Sequence, residues 1–219
     1  MTFDIYFGFE LLALFIAIIK SKSLLQSVYK YFLPFLVLIV LYETGSLYNK
    51  FAIGNNNTLA TNVITTIEFA FYSFFIRNTL KNQSYKKIIL ISIYACLAYN
   101  LISLVFIQGL MTLNVSAIIM QTIVIILITG VYFWELMQVS FSNSLSIIKL
   151  PGFWLTTGVL FFYLGEFLFF ASFGYMAYKR HYEYIMLYRM IADMANAVLY
   201  TCLIISFLCL KPTRKLSIS

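Results

Sequence analysis

Acidic side chains inside long apolar stretches are the residues of this chain whose chemistry needs an explanation. Six of the eight aspartates and glutamates stand in such stretches, where inserting a charged residue into a membrane costs about 3 kcal/mol. These six are Glu10, Glu43, Glu68, Glu135, Glu166 and Asp193. Ionisable groups at such positions usually face the interior of a helix bundle or a wet cavity. They are therefore the first candidates for a functional site.

The last apolar stretch carries a second polar pattern. Arg189, Asp193, Asn196 and Tyr200 follow one another at intervals of four, three and four residues. On a helix this spacing places all four on one face. The spacing also suits an ion pair between Arg189 and Asp193. The pattern predicts a polar stripe that faces the interior of a bundle.

The composition around these residues is that of an integral membrane protein. Of the 219 residues, 62% are hydrophobic and 11% are charged, and the mean hydropathy is +0.90. Because a membrane-spanning helix needs about 20 mainly apolar residues, we predict one all-α domain, residues 1–219, folded as a bundle of seven transmembrane helices. The helices are expected near residues 3–20, 30–49, 58–77, 87–109, 115–137, 152–175 and 185–210.

Basic residues in the connections predict the orientation of the bundle, since cytoplasmic loops carry an excess of lysine and arginine. One side has Lys20, Lys22, Lys30, Arg77, Lys81, Lys86, Lys87, Lys149, Lys211, Arg214 and Lys215. The other side has Lys50, Lys179, Arg180 and Arg189. We therefore expect the N-terminus outside and the C-terminus in the cytoplasm. The net charge of +7 then belongs to loops that touch membrane lipids, and binding to nucleic acid is not predicted.

Given this orientation, five of the acidic residues are expected at a similar depth, about 9 to 15 Å from the outer ends of their helices. These five residues, here called the carboxylate layer, are Glu10, Glu43, Glu68, Glu166 and Asp193. They come from five different helices. Tyr72 shares a helix face with Glu68, and Tyr163 shares one with Glu166. The layer predicts a polar pocket that opens to the outside.

Other polar residues have a structural explanation. Glu135 stands beside Trp134 at the cytoplasmic end of the fifth predicted helix, where an interfacial residue is ordinary. Asn100 and Gln108 are interpreted as hydrogen-bonding residues that hold helices together. The same alternative applies to each member of the carboxylate layer taken singly. For the whole layer we favour a function, because every such residue carries its own insertion cost.

Several kinds of chemistry are excluded by the residues at hand. A zinc hydrolase of the ceramidase or adiponectin-receptor kind needs several histidines, and this chain has only His181. The seventh predicted helix lacks the lysine that a retinal Schiff base requires. We therefore predict no metal, no cofactor and no catalytic residues, and we favour a binding protein over an enzyme. A pair of carboxylates acting as acid and base on a lipid stays open as an alternative.

Transport is a further alternative. Seven spans with an outside N-terminus also describe the sugar-transporting SWEET and PQ-loop proteins, which contain two parallel three-helix repeats. A weak internal similarity exists between Leu33-Pro34 and Leu150-Pro151, and between Glu68 and Asp193. A small transporter, proton-coupled through the same carboxylates, is therefore kept beside the binding protein.

Three segments of the chain form a recognisable pattern: Thr66-Ile67-Glu68-Phe69, Phe106-Ile107-Gln108-Gly109 and Pro151-Gly152-Phe153-Trp154. They resemble a large family of small bacterial seven-helix membrane proteins that has no assigned activity. The family's acidic residue in the third helix matches Glu68, and the asparagine of its last helix matches Asn196. The resemblance implies a multi-pass protein of the bacterial inner membrane. It also suggests a signalling protein as partner, and an envelope protein is kept as a second possible partner.

The residues thus predict a small polar or amphipathic ligand bound in an outward-facing pocket. Very short loops leave no room for a soluble output domain, so a partner protein is expected to provide the output. The predicted ligand-binding residues are Glu43, Glu68, Arg189, Asp193, Asn196, Glu10, Glu166, Tyr72, Tyr163 and Tyr200.

Overall fold

The structure is a computed structural model that describes residues 5–53, 57–143, 146–179 and 181–210. The described part of the chain is all-α. Its α-helices are α1 (Ile5–Ile19), α2 (Ser21–Leu25), α3 (Phe32–Leu47), α4 (Thr58–Thr79), α5 (Gln83–Ile102), α6 (Val115–Asn143), α7 (Pro151–Lys179) and α8 (His181–Cys209). Short 3-10 turns at Val28–Tyr31 and Ile147–Lys149 precede α3 and α7, and a π turn at Ser103–Ile107 extends α5.

Six helical segments in the described ranges are long and apolar enough to cross a membrane. They are Val28–Leu47, Thr58–Thr79, Gln83–Ile107, Val115–Gln138, Pro151–Ser172 and Met190–Cys209. This confirms a multi-pass helical membrane protein. The described part of the first predicted helix, α1, has 15 residues and is about 22 Å long, against a hydrocarbon core of about 30 Å. Seven spans and their orientation therefore stay predictions.

Helix ends follow from local chemistry. The Asn82 side chain caps α5 by accepting a hydrogen bond from the Ser84 N–H at 2.8 Å. Pro151 opens α7, where its missing N–H costs nothing. Gly109 follows the π turn with a φ of +83°, a left-handed conformation that glycine adopts without strain. These residues set the lengths of the long helices and the positions of the short connections.

The long helices close into a ring. α8 packs most extensively against α7 and also against α1, so the last helix joins the first. α1 in turn contacts α3, α7 contacts α6, and α6 contacts α4 and α5. Although α1 is short, its Ala13 and Ala17 are fully buried in this ring. The α1 helix is therefore an integral part of the bundle.

One end of the ring is filled by aromatic rings from α3, from the 3-10 turn that precedes it, from α4 and from α8. This aromatic cluster contains Tyr29, Phe32, Phe35, Phe71, Tyr72, Phe75 and Phe207. Phe35 and Phe71 stack with their centroids 3.8 Å apart, and Phe32 meets Phe75 edge-on at 4.8 Å. Such pairs add to the stability from burial alone. The cluster occupies the end of the bundle at which α3 begins and α4 ends.

Two glycines allow α7 and α8 to approach closely. A Cβ atom added at Gly158 would lie 2.7 Å from Cβ of Cys202 and 3.1 Å from the Leu199 carbonyl oxygen. A Cβ at Gly165 would lie 3.1 Å from Cβ of Ala195. Small residues at such contacts let transmembrane helices gain dispersion energy over a long interface. This contact fixes α8, which carries part of the predicted site.

A buried asparagine network ties α4, α5 and α6 together. Nδ2 of Asn114 donates to Oδ1 of Asn100 at 3.0 Å, while Oδ1 of Asn114 accepts from Ser103 at 2.8 Å. Asn62 donates to the Thr112 carbonyl at 2.9 Å, and Asn100 donates to Thr66 at 2.7 Å. The interpretation of Asn100 as an interhelical hydrogen-bonding residue agrees with these contacts.

Glu135 has a defined role that its interfacial position did not predict. Its carboxylate accepts hydrogen bonds from the backbone N–H groups of Lys81 and Asn82, the latter at 3.2 Å. These two residues form the turn between α4 and α5. Glu135, on α6, therefore holds that turn in place and lies apart from the carboxylate layer.

Candidate functional site

A cavity of about 630 Å³ lies between α1, α3, α4, α7 and α8. It occupies the half of the bundle opposite the aromatic cluster, because it is lined from the end of α3, the first half of α4 and the start of α6. Its polar lining residues are Tyr6, Glu10, Tyr42, Glu43, Ser46, Thr61, Thr65, Glu68, Glu166, Asp193, Asn196 and Tyr200. The bundle is thus packed at one end and hollow at the other.

All five members of the carboxylate layer line this cavity, one from each of five helices. Glu68 of α4 lies within electrostatic range of Glu10, Glu43 and Glu166. The helices alternate in direction, but the five acidic residues lie at a similar depth in the bundle. Their side chains therefore meet at one level. The structure therefore brings together the acidic residues that the sequence placed in one layer. Their part in binding a ligand stays a prediction.

Glu10 is the most unusual member of the layer. Its side chain is 0% exposed, and within the described part of the chain neither carboxylate oxygen has a hydrogen-bond partner. A buried carboxylate is costly unless a donor or a cation compensates it. Glu10 nevertheless belongs to the cavity lining, so a small turn of its side chain would let a donor inside the cavity supply what the described residues do not.

Hydrogen bonds between helices frame the rim of the cavity. The Tyr6 hydroxyl donates to Oε2 of Glu43 at 3.4 Å, which links α1 to α3. The Asn57 side chain donates to Oγ of Ser46 at 3.1 Å. Although Tyr6 stands four residues before Glu10 on the same helix face, its hydroxyl is used by Glu43.

Tyr42 lines the cavity but is not among the ligand-binding residues that were predicted from the sequence. Its hydroxyl is 3.0 Å from Oγ1 of Thr61 on α4, and its ring stacks on Phe51 with centroids 5.9 Å apart. Its position next to Glu43 is the sequence signal that could have found it. Tyr42 thereby connects α3 to α4 beside the cavity.

Of the three predicted tyrosines, only Tyr200 lines the cavity in the described structure. Tyr72 and Tyr163 are 2% and 3% exposed, and their ring centroids lie 6.4 Å apart. Each stands about one turn farther from the rim than the acidic residue whose helix face it shares. The structure places both in the packed core beneath the cavity.

The polar stripe of α8 is only partly described. Asp193, Asn196 and Tyr200 line the cavity, and Nδ2 of Asn196 donates to the Ala192 carbonyl of its own helix at 3.0 Å. The Arg189 side chain lies outside the described residues, and so does its expected ion pair with Asp193. The stripe faces the cavity at the three positions that can be placed.

The rest of the cavity wall is apolar. Phe162, Phe169 and Phe170 of α7 line one side, and Ile191 of α8 lies beside them. Among the described lining residues there is no lysine, arginine or histidine. Within the same ranges no three acidic, histidine or cysteine side chains form a group that could hold a metal ion. The cavity is therefore both acidic and amphipathic.

These features define a multi-pass helical membrane protein with an acidic, amphipathic cavity in one half of its bundle. No protein-family model matches the chain, and no curated protein and no solved structure matches it either. The resemblance to a bacterial seven-helix family therefore stays a prediction.

Proposed function

We propose that this protein binds a small polar or amphipathic ligand in its cavity at the outer side of a bacterial inner membrane and passes the signal to a partner protein. The observation that carries the proposal is the cavity of about 630 Å³ lined by five carboxyl groups from five helices. Its volume lies within the range of about 300 to 1,000 Å³ that is typical of small-molecule sites. Acidic residues inside a membrane are rare, and by default they indicate a functional site.

The outward orientation of the cavity rests on the distribution of basic residues. In the described ranges, the turn between α4 and α5 carries Lys81, and the start of α5 carries Lys86 and Lys87, at the end of the bundle remote from the cavity. Because cytoplasmic loops are enriched in lysine and arginine, this remote end is the cytoplasmic one. The cavity then faces the outside, where it meets ligands that have not crossed the membrane.

A partner protein is part of the proposal because the described connections are short. Only residues 80–82 separate α4 from α5, and a single residue separates α7 from α8. Neither connection is long enough to fold into a signalling domain. A change in the bundle on ligand binding would therefore be read by a neighbouring protein in the membrane.

The first experiment identifies what the protein carries. The tagged chain is purified from its native membrane after gentle cross-linking, and co-purifying proteins and small molecules are identified by mass spectrometry. A stoichiometric signalling or envelope protein together with a bound small molecule supports the proposal. A protein that is recovered without either, in repeated preparations, contradicts it.

A second experiment locates the ligand in the cavity. Thermal unfolding in detergent is followed with and without the identified molecule for the wild-type protein, Glu68→Gln and Glu135→Gln. Both variants make the same chemical change, but only Glu68 lines the cavity. The stabilisation by ligand is expected to fall in Glu68→Gln and to persist in Glu135→Gln. Equal stabilisation of all three proteins would place the ligand elsewhere.

Proton-coupled transport is the second candidate, and Glu10 is the observation that favours it. A buried carboxylate without a hydrogen-bond partner among the residues that the structure describes is suited to exchange a proton during a transport cycle. Alternating access would also require the aromatic cluster to open a path to the other side. Uptake of the identified molecule into proteoliposomes, driven by a pH gradient, would favour transport. Binding without uptake favours the receptor.

A further inference from the structure

We infer that the ligand of the cavity is a small amphipathic amine, whose ammonium group lies among Glu10, Glu43 and Glu68 and whose apolar part lies against Phe162, Phe169 and Phe170. This inference rests on the proposed function, because it assumes that the cavity is a ligand site. It adds the chemical class of the ligand and the direction in which the ligand lies.

The charge of the cavity is the first step. Glu10, Glu43 and Glu68 are three of the carboxyl groups that line it. Glu10 and Glu43 lie within electrostatic range of each other, and Glu68 lies within range of both. Like charges at such distances in a medium of low dielectric repel strongly. A cation placed among them relieves this repulsion, whereas an anion increases it.

The hydrogen-bonding state of Glu10 is the second and independent step. Its oxygens are buried without a donor among the described residues, although the residue lines the cavity. The nearby Tyr6 hydroxyl donates to Glu43. An ammonium group beside a buried carboxyl group favours its ionised form, and an ionised carboxylate only accepts hydrogen bonds. The complementary ligand group is therefore a donor, and an ammonium group supplies donors and positive charge together.

The arrangement of the carboxyl groups argues against a bare metal ion. A calcium or magnesium site brings several oxygen ligands to within about 2.0 to 2.6 Å of one point. No three acidic side chains in the described ranges come together in this way. The carboxyl groups surround a volume instead of a point, as expected for a polyatomic cation that makes hydrogen bonds of about 2.8 Å.

The apolar wall provides the third step. An ammonium group alone would fill a small part of about 630 Å³. Phe162, Phe169 and Phe170 offer aromatic surface on the α7 side. Aromatic rings gain energy both from apolar contact and from the attraction between a cation and the ring face. The ligand is therefore expected to carry a hydrocarbon or aromatic portion beside its amine.

The test compares probes that differ in one property. The full chain in lipid nanodiscs is titrated with 2-phenylethylamine, with the neutral 2-phenylethanol, with the anionic 3-phenylpropionate and with methylamine, and empty nanodiscs correct for partition into lipid. We expect 2-phenylethylamine to bind at least about tenfold more tightly than each of the others, because it alone combines the charge and the apolar part. Equal or tighter binding of the alcohol or the acid would overturn the inference.

Variants identify the site of binding. Glu10→Gln is expected to weaken binding of the amine about tenfold or more, since it removes the negative charge that the ammonium group meets. Glu68→Gln provides a second cavity variant in case Glu10→Gln does not fold, and Glu135→Gln is the matched control outside the cavity. Unchanged amine affinity in the folded cavity variants would also overturn the inference.

The inference and the proposed function can fail separately. If the alcohol or the acid binds, and Ala192→Phe abolishes that binding by filling the cavity, the cavity is a ligand site for another chemical class. The inference then fails and the proposed function stands. If no probe binds above the empty nanodiscs, the inference fails. If, in addition, the purified native protein carries no small molecule, the proposed function fails with it.

Discussion

The Tyr6 hydroxyl reaches across the rim of the cavity to Oε2 of Glu43, 3.4 Å away, and joins the first helix to the third. The same hydroxyl is thereby directed away from Glu10, which follows it by one turn on its own helix. Tyr6 thus donates its hydrogen bond to Glu43, and it donates none to Glu10. This division distinguishes the two carboxyl groups, which otherwise lie within electrostatic range of each other.

Replacing Tyr6 by phenylalanine is expected to have a small effect on stability. The long hydrogen bond is worth about 1 kcal/mol or less, and the ring itself is kept. Thermal unfolding in detergent measures this change, with Tyr31→Phe as control because Tyr31 is exposed at the other end of the bundle. A large loss of stability in Tyr6→Phe alone would show that this contact holds the α1 helix in place.

Glu10→Gln and Glu135→Gln are expected to change stability in opposite directions. At alkaline pH without ligand, where Glu10 is ionised, Glu10→Gln removes a buried carboxylate that has no donor in the described structure, so the unfolding temperature should rise. Glu135→Gln replaces a charged acceptor of two backbone N–H groups by a neutral one. The unfolding temperature of this variant should therefore fall, and its free energy of unfolding should decrease by about 1 kcal/mol. Parallel thermal unfolding of both variants measures the signs. A decrease in both would mean that Glu10 has a structural partner.

The asparagine network is expected to contribute strongly to the stability of the fold. Asn114→Ala removes the partner of Ser103 and one partner of Asn100 and leaves buried polar groups unsatisfied, at a cost of about 2 to 3 kcal/mol. Unfolding in a mild detergent measures the loss. Asn78→Ala is the control, since Asn78 is exposed at the end of α4. If both variants unfold alike, water replaces the lost contacts.

The helices and the carboxylate layer could be predicted because both depend on regular geometry. Apolar length predicts a span, and a fixed rise per residue places Glu10, Glu43 and Glu68 at one level. Both arguments need only positions along a helix. The same regularity explains the correct interpretation of Asn100, because a buried amide in an apolar helix needs a partner on a neighbouring helix.

The remaining features depend on which helices are neighbours, and a single sequence does not contain that information. Glu135 acts on a turn more than 50 residues away, and its role appears only once α6 lies beside that turn. Tyr72 and Tyr163 share a face with acidic residues, but the cavity ends above them. That no residue in the described ranges donates a hydrogen bond to Glu10 likewise depends on the rotation of α1, which sets what its side chain meets.

Gly158 is expected to tolerate no side chain, whereas Gly130 should tolerate one. A Cβ at Gly158 meets Cys202 and the Leu199 backbone, while at Gly130 nothing lies within 4 Å. Gly158→Ala should therefore separate α7 from α8 and cost about 1 to 3 kcal/mol. Gly130→Ala should be neutral or slightly stabilising, since alanine favours helix over glycine. Thermal unfolding compares the two, and equal stability would argue against the close contact of α7 and α8.

The predicted orientation can be tested by labelling from one side of the membrane. Met111→Cys places a thiol at an exposed position between the π turn and α6, at the cavity end, and Ser84→Cys places one at the exposed start of α5, at the opposite end. The native Cys96 and Cys202 are buried, and Cys209 is partly buried, so the wild-type protein is the background. An impermeant maleimide added to intact cells should label Met111→Cys and should reach Ser84→Cys only after the membrane is opened. The reverse result would turn the cavity towards the cytoplasm, and the ligand would then have to come from inside the cell.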